Sequence, residues 1–386
     1  MKVLNINPSV AALKPPPIPL VQQSAARYDG KLGPLIDLSQ AVPGYATHPS
    51  LLEALKSAAG RPELLGYGDI EGETELRVAY ATHVSALYQA SISSSQTHIT
   101  SGCNQAFSVI ATALAGKGDS MLLLTPLYFN HETTLDMFGI KIKTVATQAD
   151  NRFLPDIDAL RMAITSDVKA IVCVTPNNPT GAIYPPLLIN ELFDLCAKKG
   201  IWLVLDETYR DFGPSDAAPH SLLQKKEWQD HFIGLYSFSK SLCIPGHRLG
   251  AILAGEQIIQ AVTKIMDNLQ ICAPRPPQVA VAERLNELDA WREQNRQEIL
   301  NRQKALEAVI ADLPGWAIIS IGSYFSYVRH PLDFSSSVEA AAYLAQQRGV
   351  VTLPGAFFGS GQMPFLRFAF ANATCAELNE LRGRLG

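Results

Sequence analysis

The segment YSFSKSLCIPGHRLG places Lys240 directly after an apolar run and Arg248 eight residues further on. A lysine at the inner end of a strand is either paired with a carboxylate or is itself reactive. Burial and a neighbouring cation lower the pKa of a lysine and leave its amine nucleophilic. The hydroxyls of Ser237 and Ser239, together with the guanidinium of Arg248, suit a phosphate group. For Arg248 taken alone, a surface salt bridge remains the alternative.

A carboxylate follows a second apolar run, where Asp206 comes after IWLVL in the sequence. Burying a carboxylate at a strand end is costly unless a cation meets it. No further metal ligands with suitable spacing lie nearby, so an organic cation is the better partner. The alternative is that Asp206 caps the start of a following helix.

Three more turns follow apolar runs. The turn of Gly102, Cys103 and Asn104 precedes a helix beginning near Gln105, and backbone amides at a helix start bind phosphate. Tyr128 follows MLLLTP and could stack on a planar ligand or pack at a rim. Asn178 lies in the turn NNPTG and could hydrogen-bond a ligand.

Together these residues predict a planar, phosphorylated ligand with a cationic ring atom, attached to a lysine through a carbonyl. Pyridoxal 5′-phosphate meets these conditions.

The composition is that of an ordinary globular protein, with 386 residues, 47% hydrophobic residues and a formal net charge of −4. Mild negative charge gives no reason to expect nucleic acid or a membrane surface as a partner. Six scattered cysteines form no CxxC pair, so we predict neither a metal site nor a disulfide framework. We expect a cytoplasmic protein, in which the glycosylation sequon at Asn372 is inert.

Strand-like and helical segments alternate from about residue 48, which predicts an α/β fold. We expect a large domain over residues 48–283, with a mostly parallel sheet covered by helices on both faces. A smaller α+β domain is formed by the N-terminal segment, residues 1–47, and by residues 284–386. The N-terminal segment is Pro-rich, and we predict that it is irregular. We predict one long helix linking the domains over PPQVAVAERLNELDAWREQNRQEILNRQKALEAVIADL. Ligands of open parallel sheets bind at the carboxyl ends of the strands, where the residues above lie.

As an ordered set, the motifs YGDIEGETELR, NNPTG, DETY, SFSK, GHRLG and FLRFAFA resemble those of one family. They are similar to class I/II aminotransferases, the aspartate aminotransferase-like enzymes of pyridoxal phosphate fold type I. The resemblance runs from about residue 35 to residue 370. It implies a ping-pong transaminase that moves an amino group between an L-amino acid and a 2-oxo acid.

The resemblance also implies roles for individual residues. Lys240 would bind the cofactor and shuttle a proton, and Asp206 would pair with the pyridine nitrogen. Tyr209 and Asn178 would contact the ring oxygen, and Arg367 would grip the substrate carboxylate, with Asn178 nearby. The other implied cofactor contacts are Tyr128 at the ring and Gly102, Cys103, Asn104, Ser237, Ser239 and Arg248 at the phosphate.

Tyr67 matches a tyrosine that reaches the phosphate of the neighbouring subunit, which implies a homodimer with shared sites. The sequence departs from the family where SQAVPGY replaces a Gly-Glu-Pro type turn, and where Cys103 stands in the phosphate turn. The first departure implies a different substrate-side wall. No second arginine for a dicarboxylate side chain can be placed. Residues 353–361, which include Phe357, resemble a family loop near the substrate.

The sequence leaves other pyridoxal phosphate reactions open and argues against two further functions. The same scaffold supports other pyridoxal phosphate reactions, namely those of a β-lyase, a decarboxylase or an amino acid oxidase. A pyridoxal phosphate-sensing regulator would need a DNA-binding module, and this chain has no room for one before the family match. A nicotinamide-binding protein would need a GxGxxG turn after the first strand, which the sequence lacks.

Overall fold

The computed structural model describes residues 6–386 and begins with two short helices and a short strand. These are α1 (Pro8–Ala11), α2 (Pro17–Ala25) and β1 (Ile36–Asp37). The prediction of an irregular N-terminal segment was therefore wrong for part of its length. Proline at the first position of a helix costs nothing, because the amide there has no partner within the helix.

The middle of the chain builds a seven-stranded sheet and most of the helices. Its strands are β2 (Thr97–Thr100), β3 (Ser120–Thr125), β4 (Lys141–Ala146), β5 (Val168–Val174), β6 (Trp202–Asp206), β7 (Phe232–Ser237) and β8 (Gly250–Ala254). Its helices are α3 (Pro49–Ala59), α4 (Thr74–Tyr88), α5 (Cys103–Leu114), α6 (Phe129–Phe138), α7 (Ile157–Ala163), α8 (Pro186–Lys199), α9 (Trp228–His231), α10 (Phe238–Ser241), α11 (Glu256–Leu269) and α12 (Arg275–Arg284).

The strand order of the large sheet is β2-β8-β7-β6-β5-β3-β4, and only β8 runs against its neighbours. The predicted mostly parallel α/β sheet is thus confirmed. Helices α3, α4, α8 and α12 contribute to one buried apolar cluster, and α5, α6 and α11 contribute to another on the opposite face. Strands β3, β5, β6, β7 and β8 are almost wholly buried, which explains their continuous apolar runs.

The rest of the chain contains α13 (Asp289–Ala311), β9 (Ala317–Gly322), β10 (Phe325–Arg329), α14 (Ser337–Tyr343), β11 (Val350–Val351), β12 (Leu353–Pro354), β13 (Phe365–Phe368) and α15 (Cys375–Leu385). Four strands form an antiparallel sheet in the order β12-β13-β10-β9. Strand β11 pairs in parallel with β1, so the N-terminal segment joins the C-terminal part.

Two predicted helix boundaries were wrong. The single long helix is broken between Arg284 and Asp289, because Leu285 and Leu288 turn into the apolar core of the large sheet. Helix α5 begins at Cys103 instead of near Gln105, because Gly102 takes a φ of +87° and starts the helix at once. This second correction matters for the site, since it moves the free amides of the helix start to Cys103 and Asn104.

Candidate active site

A cleft of about 250 Å³ opens at the carboxyl ends of β5, β6 and β7, beside the start of α5. This is the edge of a parallel sheet at which ligands bind. Ten of the predicted residues line it: Cys103, Asn104, Tyr128, Asn178, Asp206, Tyr209, Ser237, Ser239, Lys240 and Arg248. The turns that follow separate apolar runs of the sequence therefore meet in one place.

One end of the cleft presents donors suited to an anion. Gly102 precedes the first residue of α5, and a Cβ added to it would overlap the guanidinium of Arg248. The backbone turn and Arg248 therefore lie in direct contact, with the helix start beside them. Ser237 accepts a hydrogen bond from the amide of Ser239 at 3.3 Å, while the buried Ser239 hydroxyl has no partner within residues 6–386. A free buried hydroxyl, an arginine and a helix start form an anion site.

The thiol of Cys103 lies at the same helix start. Burial raises the pKa of the Cys103 thiol well above its usual value, and the nearby carboxylate of Asp206 adds to the effect. The thiol is therefore uncharged near neutrality and does not repel an anion at the helix start.

Asp206 lines the same cleft, where β6 ends, with only 4% of its surface exposed. Its Oδ2 atom is 3.4 Å from Nε2 of His131, and its Oδ1 atom accepts a hydrogen bond from the amide of Thr208 at 3.0 Å. Burial opposes ionisation of Asp206, but its contacts with His131 and Thr208 outweigh this effect. The pKa of Asp206 is therefore lowered, and the buried carboxylate stays charged.

Lys240 lies in the single turn of α10 and lines the same cleft. Its Nζ atom donates a hydrogen bond to the carbonyl oxygen of Ala41. Burial, followed by the positive charges of Arg248 and Arg367, lowers the pKa of Lys240 to about 8. A larger fraction of this amine is neutral at pH 7 to 8 than for an ordinary lysine, so it is a better nucleophile.

Aromatic side chains form the walls of the cleft. The Tyr128 hydroxyl accepts a hydrogen bond from Asn130 at 2.7 Å and donates one to Asn104 at 3.4 Å. Tyr209 is buried and packs against Tyr324 and Phe325 at ring distances of 5.4 and 5.0 Å. Both tyrosines have a raised pKa because they are buried, so their hydroxyls remain protonated and can donate hydrogen bonds.

Arg367 lies on β13 next to the cleft and is 3% exposed. Its guanidinium donates to Oδ1 of Asn178 at 2.8 Å and to the carbonyl oxygen of Ser39. It also lies over the rings of Phe325 and Phe358, at 4.8 and 5.4 Å. Burial lowers the pKa of Arg367 to about 10, so the side chain is still charged at neutral pH. Its Nε atom has no partner within residues 6–386, which leaves capacity for another acceptor.

Tyr67 is the predicted site residue that the fold does not bring to the cleft of this chain. Its side chain is 79% exposed, and the neighbouring Leu65 is 78% exposed. The backbone of this segment is held by Arg275 and by Cys272, whose sulfur accepts a hydrogen bond from Gly68 at 3.4 Å. Phe357, in the loop that resembles a family loop near the substrate, lies in a 3₁₀ turn at residues 355–358. It is next to Phe358, whose ring lies under the Arg367 guanidinium.

Sequence reasoning missed two parts of the site. The first is His131, in the first turn of α6. Its position three residues after Tyr128, one helical turn from a predicted residue, could have indicated it. The second is the hydrogen bonding of the backbone at residues 39–42. The resemblance implied that SQAVPGY belongs to the substrate-side wall, and Gln40, Ala41 and Val42 do line the cleft. Nothing in SQAVPGY marks its carbonyl groups as contacts of Lys240 and Arg367.

The chemistry of these groups fits pyridoxal 5′-phosphate. The anion site with the free Ser239 hydroxyl matches the phosphate, and the ionised Asp206 matches a protonated ring nitrogen. Lys240 lines the same cleft and has a lowered pKa, which favours attack on an aldehyde. The residues that would hold the cofactor are thus present on this chain.

Comparison with known proteins agrees with this chemistry. The model of the family described as aminotransferase class I and II matches residues 33–385. The chain belongs to this family. It is an aminotransferase that uses pyridoxal phosphate and exchanges an amino group between an amino acid and a 2-oxo acid.

Two sequence relatives cover most of the aminotransferase. An aromatic aminotransferase of Arabidopsis thaliana is 28% identical over 357 residues, which is 91% of this chain and 88% of the relative. Transaminase BacF of Bacillus subtilis is 26% identical over 340 residues, covering 88% and 85% of the two chains.

Solved structures share the fold over nearly the whole chain. A substrate-bound structure of BacF gives a TM-score of 0.89 at 25% identity, covering 99% of this chain and 97% of that one. A variant aspartate aminotransferase of Thermus thermophilus gives a TM-score of 0.91 at 24% identity, covering 99% of both chains. The predicted fold type I architecture is thus confirmed.

Two further features of the aminotransferase concern residues 6–386 only. In that range, no helix combines the length and the apolar character that a membrane crossing requires. The same residues contain no group of three or more His, Cys, Asp or Glu side chains placed to hold a metal ion.

Proposed function

We propose that this aminotransferase works by a ping-pong mechanism in which Lys240, Asp206 and Arg367 carry the chemistry of one cleft. The observation that supports this most strongly is the convergence of an amine with a lowered pKa, an ionised buried carboxylate and a buried guanidinium. When bound, pyridoxal phosphate withdraws electrons from the amino acid and stores the amino group between the two half-reactions.

Lys240 is proposed to bind the cofactor covalently and then, once displaced, to move the proton from Cα of the amino acid. A base with a pKa near the working pH is efficient in proton transfer, and the pKa of Lys240 is about 8. The carbonyl of Ala41 holds the amine at the cleft wall, within the same site.

Asp206 is proposed to keep a positive charge on the ring nitrogen, and its own charge is maintained by His131 and Thr208. Tyr209 and Asn178 are proposed as donors to the ring oxygen, and Tyr128 as the stacking aromatic. Tyr209 suits the donor role because burial keeps its hydroxyl protonated, and Tyr128 lines the cleft with its ring.

The phosphate is proposed to bind at the start of α5. Its contacts would be the backbone at Gly102, Cys103 and Asn104, the hydroxyls of Ser237 and Ser239, and the guanidinium of Arg248. Backbone amides at a helix start and a charged guanidinium both favour a dianion.

Arg367 is proposed to bind the α-carboxylate of the substrate, helped by Asn178. Its free Nε atom and flat guanidinium suit a carboxylate. Lys240 and Arg248 are the cations among the cleft-lining residues that the structure describes, and both have other proposed roles. Residues 6–386 of this chain therefore offer no further cation in the cleft for a second carboxylate, and we propose a substrate whose side chain carries none. One relative is named an aromatic aminotransferase, whereas others are named aspartate aminotransferases.

We also propose a cytoplasmic homodimer in which Tyr67 reaches the phosphate of the partner subunit. The exposed Leu65 and Tyr67, with Leu269 at 59% exposure, support a covered surface in the assembly. All six cysteines are free, which suits a reducing compartment. The pairing of β1 with β11 supports division into a large domain of residues 48–283 and a small domain of residues 1–47 and 284–386.

The test is a spectrophotometric screen of the purified holoenzyme against single amino acids. An amino acid substrate should convert the bound cofactor to its amino form and yield a 2-oxo acid, and a second 2-oxo acid should restore the spectrum. Release of ammonia with pyruvate, or of CO₂, would instead identify a lyase or a decarboxylase. Hydrogen peroxide formation would identify an oxidase. Faster turnover of aspartate or glutamate than of any uncharged amino acid would contradict the proposed substrate class.

A further inference from the structure

A strap of residues 38–45 from the N-terminal segment forms one wall of the cleft. Gln40, Ala41 and Val42 lie along it. Its carbonyl groups accept hydrogen bonds from the two side chains proposed to act on cofactor and substrate. Ala41 accepts from Lys240, and Ser39 accepts from Arg367. A shift of this strap would therefore disturb the amine, the guanidinium and the space for the substrate together.

Backbone hydrogen bonds hold the strap at its two ends. At the first end, the amide of Leu38 donates to Val351 at 2.8 Å, and its carbonyl accepts from Ala369 at 2.8 Å. At the second end, the amide of Gly44 donates to Ala371 at 3.2 Å. The residues that line the cleft lie between these ties, and they form no strand or helix of their own.

The side chain of Asn372 holds the middle of the strap. Its Oδ1 atom accepts a hydrogen bond from the amide of Val42 at 2.8 Å. Its Nδ2 atom donates to the carbonyl oxygen of Gln40 and, at 3.2 Å, to that of Asp37. One amide thus binds three backbone groups spread over six residues. This is the asparagine of the sequon, and its amide is engaged with the strap.

Arg302 holds the end of the strap at Gly44. Arg302 donates to the carbonyl of Gly44 at 3.1 Å and to that of Ala371 at 2.6 Å. A Cβ on Gly44 would lie 2.6 Å from the Ala371 carbonyl oxygen, so the strap fits closely there. Arg302 bonds at Gly44, outside the cleft-lining residues, whereas Asn372 bonds to the backbone of two of them, Gln40 and Val42.

We propose that Asn372 is a positioning residue that fixes the strap at the depth needed to orient Lys240 and Arg367 and to shape the wall for the substrate side chain. This inference rests on the proposed function for its kinetic consequences. Asn372 acts only through the strap, so its loss changes substrate binding and selection more than it changes the bond-breaking step.

The first experiment compares Asn372→Ala and Asn372→Asp with the unchanged holoenzyme by hydrogen exchange. Amides of the peptide covering residues 38–45 should exchange at least about tenfold faster in Asn372→Ala. Asn372→Asp retains the acceptor for Val42 but loses both donors to the carbonyls, and it should also loosen the strap. The matched control is Asn379→Ala, which removes an exposed asparagine that bonds within α15 and to Arg382.

The second experiment measures steady-state kinetics with the best amino acid found for the unchanged enzyme and with a smaller one. We expect Asn372→Ala to raise KM about tenfold and to lower kcat less than threefold. The ratio of the kcat/KM values for the two substrates should move closer to one. Unchanged exchange of residues 38–45, or wild-type behaviour of Asn372→Asp, would overturn the inference. So would a loss of kcat with KM and preference unchanged.

The two proposals fail in different ways. If no amino acid converts the cofactor to its amino form in the unchanged enzyme, the proposed function is wrong. The hydrogen-exchange experiment still tests whether Asn372 holds the strap. If transamination is normal and the strap does not loosen in either variant, only the inference on Asn372 fails.

Discussion

Nε2 of His131 lies 3.4 Å from Oδ2 of Asp206, with both side chains buried at the base of the cleft. This contact joins the start of α6 to the end of β6. Together with the amide of Thr208 it keeps a buried carboxylate ionised, although burial favours the neutral acid. The charge that would hold a protonated ring nitrogen therefore depends on a residue outside the recognised motifs.

Replacing His131 should raise the pKa of Asp206, because burial then acts with less opposition. The carboxylate would become protonated at a higher pH as the pH falls, so the acid limb of the kcat/KM profile should move to higher pH in His131→Phe. We expect kcat/KM at pH 7 to fall about 10- to 100-fold, as for other residues that orient a functional group through a hydrogen bond. A pH profile of both enzymes measures this.

The control is His231→Phe, at the opposite end of β7 from the cleft, where His231 packs near Phe193 and Trp202. An acid limb that stays in place in His131→Phe would show that His131 does not set the charge of Asp206.

The amine of Lys240 should react with pyridoxal phosphate with a pH midpoint near 8, well below that of an ordinary lysine. Burial and the charges of Arg248 and Arg367 disfavour its protonated form, so the nucleophilic form appears as the pH rises through about 8. Initial rates of cofactor capture by the apoprotein, followed by absorbance, test this. Lys240→Ala should lose transamination by at least about 10³-fold while retaining non-covalent cofactor binding.

Lys198→Ala, on the exposed end of α8, should behave as the unchanged protein in both assays. A capture midpoint near 10.5, or transamination by Lys240→Ala at a near-normal rate, contradicts the assignment.

Most of the site could be predicted because its residues follow apolar runs that become strands of one sheet. Lys240, Asp206 and Asn178 each stand just after such a run, and parallel strands bring their carboxyl ends together. The fold class was readable for the same reason, since buried strands are continuous apolar runs. Strand β4 lacked that signal, because it is an edge strand with Lys141 and Lys143 on it.

The contacts of the strap could not be predicted, because they are made by backbone carbonyls that any residue supplies. Its contacts join residues about 200 to 330 positions apart, such as Ala41 with Lys240 and Ser39 with Arg367. The break between α12 and α13 could not be predicted for a related reason. Leu285 and Leu288 continue the apolar periodicity, and only packing against the large sheet turns them out of a helix.

Gly102→Ala should weaken cofactor binding. The added Cβ overlaps the guanidinium of Arg248, and the φ of +87° is unfavourable for alanine. We expect the dissociation constant of pyridoxal phosphate to rise about 10- to 100-fold, which corresponds to roughly 1.4 to 2.8 kcal/mol. Equilibrium dialysis of the apoprotein measures it.

Gly116→Ala is the matched control, because an added Cβ there has no heavy atom within 4 Å. An unchanged dissociation constant in Gly102→Ala would argue against a phosphate at the start of α5.

Arg367→Lys should raise KM for the amino acid about 100-fold with a smaller effect on cofactor affinity. Lysine keeps the charge but loses the flat fork, and it cannot also serve Asn178 and the Ser39 carbonyl. A charged hydrogen bond contributes roughly 1.5 to 3 kcal/mol, and each 1.4 kcal/mol corresponds to a factor of ten. Arg382→Lys, at an exposed pair with Asp312, is the control and should leave KM unchanged.

A mixture of two inactive variants tests whether Tyr67 completes the site of a partner subunit. Lys240→Ala lacks the amine but retains Tyr67, whereas Tyr67→Ala lacks the tyrosine but retains Lys240. In a mixed dimer, the Tyr67→Ala subunit contributes Lys240 and the Lys240→Ala subunit contributes Tyr67, so one of the two sites is complete. Activity above that of either variant should therefore appear after subunits are exchanged by mild denaturation and refolding. Because Tyr67 is 79% exposed and lies outside the cleft of its own chain, a lack of such recovery in confirmed mixed dimers would show that Tyr67 does not act across the interface.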